Sequence, residues 1–136
     1  MIKRIGLCAL ALVACILSIQ AQTQVIAHRG FWKTEGSAQN SITALEKAAE
    51  AKLYGSEFDV LMTVDGKMVV NHDNTIEGMI IPETPYKQLK KLKIKNGEKL
   101  PTLKNYLKKG KKLDIQLILE AKPLPTKETE DQAIAT

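Results

Sequence analysis

Short apolar segments that end in polar residues alternate along the chain with amphipathic segments of helical spacing. Residues 25–27 are apolar and are followed at once by His28, which is the pattern of a buried strand that leads into a polar loop. Between residues 40 and 53 apolar side chains recur at helical spacing, and Asn40 or Ser41 suits the N-cap. The pattern therefore predicts a strand followed by a helix.

The next segment predicts a second strand and a hairpin. Along residues 55–63 the side chains alternate, which places Glu57 and Asp59 on one face. Asp65-Gly66 follows, and this dipeptide between two strand-like segments is a strong hairpin signal. With a two-residue turn, counting outward along both strands places His72 opposite Asp59. An antiparallel partner strand is therefore predicted to bring a histidine to the two carboxylates.

Further elements are predicted towards the C-terminus. They are a helix from Thr84 and Pro85 to about Leu92, a helix from Pro101 and Thr102 to about Lys109 that Gly110 ends, and a strand over Leu113–Ala121. Glu120 and Lys122 share one face of that strand, and Thr129 suits the N-cap of a last helix. Strands and helices alternate, so the fold class predicted is α/β.

The first 21 residues have the pattern of a secretory signal peptide. Lys3 and Arg4 precede an uncharged, mostly apolar stretch over residues 5–19, and Ala21 suits a cleavage site. That stretch is shorter than the ~20 residues needed to cross a bilayer, and no second one follows. We therefore expect a protein exported to the periplasm or the medium, with no transmembrane domain after cleavage. Cys15 resembles the lipidated cysteine of a bacterial lipoprotein, which is the alternative.

Residues 22–136 have the size of one domain. Both cysteines of the chain precede residue 22, so this domain has no disulfide framework and no cysteine-ligated zinc. The formal net charge of the whole chain is only +5, and its lysines alternate with apolar residues as on a solvated helix face. Aromatic residues make up 4%, which leaves few for base stacking. We therefore expect no nucleic-acid partner.

Three acidic residues, Glu57, Asp59 and Glu120, lie in or at the ends of otherwise apolar strands. Buried carboxylates are costly unless they are paired or bind a metal. Converging carboxylate oxygens suit Mg²⁺ or Ca²⁺ rather than Zn²⁺. The alternative is that Glu57 pairs with a lysine and Glu120 faces solvent. The occurrence of all three acids favours a cation site.

The two histidines of the chain, His28 and His72, each follow an apolar strand. Histidine titrates near neutral pH, so two that face one substrate can take and return a proton in one cycle. A structural role for each is the alternative. Arg29 offers a planar fork suited to a phosphate oxygen and Lys122 offers a point charge, unless they form surface ion pairs.

Ordered motifs run from about Val25 to Lys122. They are His28-Arg29-Gly30, Asn40-Ser41, Glu57-Phe58-Asp59-Val60, Thr63, Asp65-Gly66, Val69-Val70, His72-Asp73, Leu100-Pro101-Thr102-Leu103 and Glu120-Ala121-Lys122. In this order they resemble the glycerophosphodiester phosphodiesterase family. The resemblance implies a TIM-type barrel with a small insertion after the second histidine.

The resemblance also implies an activity and residue roles. His28 and His72 would be the general acid and base. The divalent cation, Mg²⁺ or Ca²⁺, would be held by Glu57, Asp59 and Glu120, and the phosphate would be contacted by Arg29 and Lys122. The implied reaction is metal-dependent hydrolysis of a small-molecule glycerophosphodiester to glycerol 3-phosphate and an alcohol.

The chain departs from the family pattern in three respects. Ala38-Gln39-Asn40-Ser41 stands where the family usually has Pro-Glu-Asn-Thr, so Gln39 replaces a carboxylate. The insertion is short, roughly residues 74–99. A TIM barrel needs about 250 residues, so we expect an incomplete TIM-barrel-like fold, about the first four strands and their helices, truncated at its C-terminus. The tight hairpin would also be antiparallel, unlike the strands of a regular barrel.

Two alternatives to an active enzyme remain open. One is an inactive truncated half-barrel that retains the motifs, and the other is a secreted module that binds phosphate head groups without turnover. A half-barrel has open sheet edges, here residues 25–27 and 113–120. We therefore expect self-association through these edges.

Overall fold

The computed structural model describes residues 23–123. The predicted signal peptide and the helix predicted from Thr129 lie outside the described residues. The strands are β1 (Ile26–Ala27), β2 (Gly55–Met62), β3 (Met68–Val70), β4 (Thr75–Ile76), β5 (Met79–Ile80) and β6 (Gln116–Ala121). The helices are α1 (Ile42–Glu50), α2 (Tyr86–Leu89) and α3 (Leu103–Leu113), with a 3₁₀ turn at Ile81–Glu83. Within residues 23–123, no helix has the length and hydropathy required to cross a membrane.

The main sheet is built around β2. Strands β1 and β6 are parallel to β2, whereas β3 is antiparallel to it. The carbonyls of Asp59 and Val60 accept from Asn71 N and Lys122 N at 3.1 and 3.0 Å. Successive carbonyls of a strand point to opposite edges, so β3 and β6 flank β2 on opposite sides. The antiparallel prediction is confirmed, and the sheet is mixed.

The hairpin between β2 and β3 has a three-residue loop, so the prediction of a two-residue turn is wrong. Val60 pairs with Val70, and Asn71 rather than His72 lies opposite Asp59. Gly66 has φ +75° and its N–H donates to the Thr63 carbonyl at 2.9 Å. A turn followed by a left-handed glycine has one more loop residue than a two-residue turn. The extra residue shifts the pairing of β3 with β2 by one position.

Alternation along β2 separates an apolar face from a polar one. Leu45, Phe58, Val60, Val70 and Tyr106 form a core cluster between the sheet and the helices α1 and α3. In this cluster the rings of Phe58 and Tyr106 stack with centroids 4.5 Å apart. Glu57 and Asp59 alternate with these residues and therefore project from the opposite face. A second cluster, at the hairpin end, consists of Leu61, Val69, Ile76, Ile81, Leu89 and Leu100.

Helix α3 continues past Gly110, so the prediction that this glycine ends the helix is wrong. A Cβ at residue 110 would come within 2.5 Å of the Leu117 side chain. Gly110 therefore allows the helix to pack closely on β6. The helix ends instead at Leu113, and its C-cap, Asp114, has φ 53°. Thr102 is the N-cap, and its hydroxyl accepts from Asn105 N at 3.2 Å.

Candidate active site

Three carboxylates converge beside the main sheet, two from β2 and one from the C-terminal end of β6. Glu57 and Asp59 project from the same face of β2, and the parallel register places Glu120 beside Asp59. One oxygen from each of the three carboxylates lies within 4.8 Å of the others. Asp59 is fully buried, Glu57 is half-buried and Glu120 is exposed. The structure therefore brings together the three acids that the sequence singled out.

The donor atoms of this cluster suit a hard cation. Glu57 Oε1 is buried and accepts no hydrogen bond from the residues described, and Asp59 Oδ1 is buried beside the Lys122 ammonium, which lies 2.7 Å away. A buried carboxylate oxygen without a hydrogen bond is costly unless a positive charge lies beside it. Oxygen-only donor sets are typical of Mg²⁺ and Ca²⁺ sites. The residues present therefore fit a divalent cation.

Lys122 bridges two of the three acids in the cluster, Asp59 and Glu120. Its Nζ is 2.7 Å from Asp59 Oδ1 and 2.6 Å from Glu120 Oε1. These contacts with Asp59 and Glu120 raise the pKa of Lys122 above its ordinary value, despite the opposing effect of burial. The ammonium therefore carries its charge at neutral pH and offsets part of the negative charge of the cluster.

Asn40 is the main polar partner of Asp59. Its amide donates to Asp59 Oδ2 at 2.9 Å and accepts from Asp59 N at 3.1 Å. Burial alone would raise the pKa of Asp59, but hydrogen bonds from Asn40 and Lys122, together with the nearby His72, outweigh it and lower the pKa. Asp59 is therefore ionised at neutral pH, as a cation ligand must be.

Arg29 links the loop after β1 to the acidic cluster. Its backbone N–H donates to Glu57 Oε2 at 2.8 Å, and its Nε lies 3.7 Å from Asp59 Oδ2. The residue adopts φ 59°, which turns the chain sharply after the strand. Nη1 donates to Gln39 Oε1 at 2.8 Å. Gln39 stands where the family usually has a glutamate, and its amide oxygen still holds the guanidinium.

The two histidines lie beside different members of the cluster. His28 Nε2 is 3.9 Å from Glu57 Oε2, and its side chain is exposed. His72 is half-buried, and its Nδ1 lies 2.7 Å from Asp73 Oδ1. His72 is also close enough to Asp59 to contribute to the lowered pKa of that carboxyl. Both histidines therefore border the site. In the hairpin, however, Asp59 lies opposite Asn71 and not, as predicted, opposite His72.

A cavity of about 570 Å³ adjoins His72. It is lined by residues of three segments: the loop after β1, the segment after β3 and the insertion before Leu100. Among the lining residues are Trp32, Asn40, Asn71, His72, Ile94 and Gly97. The volume is sufficient for a small organic molecule.

The sequence gives no site role to two residues that the structure brings into the region. It predicts Asn40 only as an N-cap, whereas Asn40 contacts Asp59, and it indicates nothing for Glu98, which contacts the start of α1. The Asn40-Ser41 motif was a signal that could have pointed to Asn40. The contacts of Glu98 join segments more than 50 residues apart, so no local pattern predicts them.

The parallel strands of the main sheet, the acidic cluster and the two bordering histidines define an α/β protein with a candidate site for cation binding and acid–base chemistry. A family model, the glycerophosphoryl diester phosphodiesterase family, matches residues 28–133. The chain therefore belongs to the glycerophosphodiester phosphodiesterase family, as the motifs predicted.

Related proteins agree with this assignment. A glycerophosphodiester phosphodiesterase of Caldanaerobacter subterraneus is 37% identical over 94 residues, which cover 60% of this chain and 38% of that protein. A solved glycerophosphodiester phosphodiesterase from Parabacteroides distasonis is 57% identical with a TM-score of 0.80, covering 82% of this chain and 48% of that one. An Oleispira antarctica phosphodiesterase, solved with its product sn-glycerol-3-phosphate, is 28% identical with a TM-score of 0.72, covering 83% and 49%.

The similarity to these solved structures confirms the predicted fold class. The fold is α/β and TIM-barrel-like, and this chain corresponds to part of it. The chain spans 38% of its curated relative from Caldanaerobacter and about half of its solved relatives.

Proposed function

We propose that this chain supplies the catalytic residues of a phosphodiesterase that hydrolyses glycerophosphodiesters to glycerol 3-phosphate and an alcohol. The observation that carries the proposal is the cluster of Glu57, Asp59 and Glu120, whose ligand atoms lie within 4.8 Å of one another, with His28 and His72 nearby. Membership of the family and the names of its relatives support the reaction. The product described for the Oleispira relative supports glycerol 3-phosphate.

The three carboxylates would hold one divalent cation, Mg²⁺ or Ca²⁺. When bound, the cation supplies positive charge against the phosphoryl oxygens of the substrate. The buried Glu57 Oε1, which accepts no hydrogen bond from the described residues, supports this role.

The cationic side chains would bind the phosphate. A lysine ammonium has three donors, and Lys122 directs bonds towards only two carboxylates, Asp59 and Glu120, which leaves one for a phosphate oxygen. Arg29 uses Nη1 on Gln39, and its Nε is buried beside Asp59, so Nη2 is the guanidinium nitrogen that would donate to a phosphate oxygen.

The histidines would move the protons. One of His28 and His72 takes the proton of the glycerol hydroxyl next to the phosphoester, and that oxygen attacks phosphorus. The bond from phosphorus to the alcohol oxygen breaks, and the other histidine protonates this oxygen. Water then opens the cyclic phosphate with the proton transfers reversed. Neutral and protonated histidine are both accessible near pH 7, which suits this exchange.

The catalytic role of His72 is tested in a chimera in which residues 23–123 replace the matching part of the Parabacteroides distasonis relative. His72→Ala should lower kcat for glycerophosphocholine by about two to four orders of magnitude, the usual contribution of a general acid or base. Glu50→Gln, which removes an exposed carboxylate far along α1, is the control. A loss of less than about tenfold for His72→Ala would assign this histidine a structural role.

The same chimera distinguishes an active enzyme from a module that binds phosphate head groups without turnover. A chimera that binds glycerol 3-phosphate but releases no alcohol would support the head-group-binding module.

Calorimetric titration with Mg²⁺ and Ca²⁺ shows which of the two cations binds. Asp59→Asn should abolish cation binding because it removes a buried negative ligand.

Export is part of the proposal, and it rests on residues 1–21. Cell fractionation should find the protein outside the cytoplasm with an N-terminus at Gln22. Labelling of Cys15 by a lipid precursor would instead support the lipoprotein alternative.

A further inference from the structure

Glu98, in the turn that precedes Leu100, contacts the start of α1. Its Oε2 accepts from Ile42 N at 3.0 Å and its Oε1 accepts from Thr43 N at 3.2 Å. These are the first two residues of α1. The partners are 56 and 55 residues apart in sequence, so the contact joins the insertion to the helix.

The contact completes the N-terminal cap of the helix. The first N–H groups of a helix lack partners within the helix. The Ser41 hydroxyl accepts from Ala44 N at 2.9 Å, and Glu98 satisfies the two N–H groups before it. A carboxylate is also favoured at this end by the helix dipole. Glu98 therefore fixes where the helix begins.

The residue two positions before the helix is Asn40, the partner of Asp59. Asn40 has φ 61°, a conformation that non-glycine residues adopt only when their surroundings hold it. Its N–H donates to the Arg29 carbonyl at 2.9 Å. The backbone on its other side is held by Ser41 and by the helix start that Glu98 anchors. A shift of the helix start would therefore move the Asn40 amide away from Asp59.

Glu98 is itself held firmly. Asn96 Nδ2 donates to Glu98 Oε1 at 2.5 Å and to the Gly36 carbonyl at 3.2 Å. The turn is closed by Ile94 N, which donates to the Glu98 carbonyl at 2.8 Å. The carboxylate thus has a defined orientation before it meets the helix.

From these contacts we infer that Glu98 is a positioning residue, which holds Asn40 against Asp59 by anchoring the start of α1 to the insertion. Glu98 touches no reacting group, and it acts on the acidic cluster through Asn40. The inference rests on the proposed function only where cation binding is measured.

The first test is hydrogen exchange followed by mass spectrometry on the full chain without cation. Glu98→Ala should accelerate exchange in peptides that contain the start of α1 and in the peptide that contains Asp59, whose N–H donates to Asn40. Glu50→Ala, on the exposed end of the same helix, should leave both unchanged. Faster exchange at the helix start alone would overturn the inference, because Glu98 would then only cap the helix.

The second test is a double-mutant cycle on Mg²⁺ and Ca²⁺ affinity. Glu98→Ala should weaken binding about 10-fold or more, the usual cost of losing an outer partner of a metal ligand. Adding Glu98→Ala to Asn40→Ala should weaken it little further, because both act through the same contact. If the loss of cation affinity in the double variant equals the product of the losses in the two single variants, the inference is wrong.

A conservative variant distinguishes loss of the hydrogen bonds of Glu98 from a general folding defect. Glu98→Gln keeps a carbonyl oxygen that can accept from the helix start, so it should recover part of the cation affinity lost in Glu98→Ala. Equal losses in the two variants would count against positioning by hydrogen bonding. If the parent chain binds neither cation, the proposed cation site fails, while the exchange experiment still decides the role of Glu98.

Discussion

At the scale of single residues, several polar side chains are held by partners distant in sequence. Asp65, in the loop between β2 and β3, is an example outside the active site. Its Oδ1 accepts from Thr63 Oγ1 at 2.6 Å and from Tyr86 N at 2.9 Å. These two bonds lower the pKa of Asp65 from its ordinary value of 3.8. One carboxylate thereby ties the hairpin loop to the start of α2.

Asp65→Asn tests this link through its pH dependence. Because the folded-state pKa is lowered, the stabilisation is complete well above pH 3.8 and is lost as the pH falls through the folded-state value. The free energy of unfolding of the parent should exceed that of Asp65→Asn by a constant amount above about pH 5, and the difference should shrink below pH 4. Urea titrations at several pH values measure it. Glu50→Gln serves as the control for net charge, and a difference independent of pH would contradict the prediction.

At the scale of elements, close approach to α1 positions the loop after β1, which carries His28 and Arg29. Gly30 follows His28 and Arg29, and its φ of +78° reverses the chain towards the helix. A Cβ at this residue would lie 2.6 Å from the Cβ of Ala44, which is fully buried in α1. The absence of a side chain therefore sets the spacing between the loop and the helix.

Gly30→Ala and Gly36→Ala form a matched pair. Both glycines have positive φ, but a Cβ at Gly36 would meet nothing within 4 Å. Gly36→Ala should cost about 1–2 kcal/mol for the left-handed backbone. Gly30→Ala should cost about 1–3 kcal/mol more, because the helix must shift to relieve the overlap. Chemical denaturation measures both, and equal losses would show that the approach to Ala44 is not limiting.

At the scale of the whole molecule, the sheet leaves apolar residues and strand edges uncovered. Within residues 23–123, β1 and β6 each pair only with β2. Leu119 of β6 is 47% exposed, and Ile26 of β1 is 45% exposed. Unpaired edges with apolar side chains are sites of association with another chain.

We therefore expect residues 22–136, expressed alone, to form dimers or larger species and to show negligible turnover of glycerophosphocholine. Leu119→Lys should reduce the mass measured by light scattering, because a charge on an edge strand opposes pairing. Val64→Lys adds the same charge to a side chain that is 60% exposed in the hairpin loop, and it should leave the mass unchanged. A monomer with a sharp melt and measurable turnover would contradict this expectation.

The sequence by itself determined the order of the longer strands and helices and the faces of β2, but it did not predict the short strands β4 and β5. Alternation placed Glu57 and Asp59 together, because successive side chains of a strand point to opposite faces. The motif order predicted the family. Local periodicity suffices for such features, since they depend on neighbours within a few residues.

Only the tertiary structure decided the hairpin register and the partners of the buried polar groups. An Asp-Gly dipeptide is compatible with more than one loop length. Because the loop is one residue longer than a two-residue turn, Asn71 lies opposite Asp59 in place of His72. The anchoring of α1 by Glu98 joins segments more than 50 residues apart. Such contacts depend on the path of the whole chain, because they form only after strands and helices have packed, and the periodicity of one segment carries no information about them.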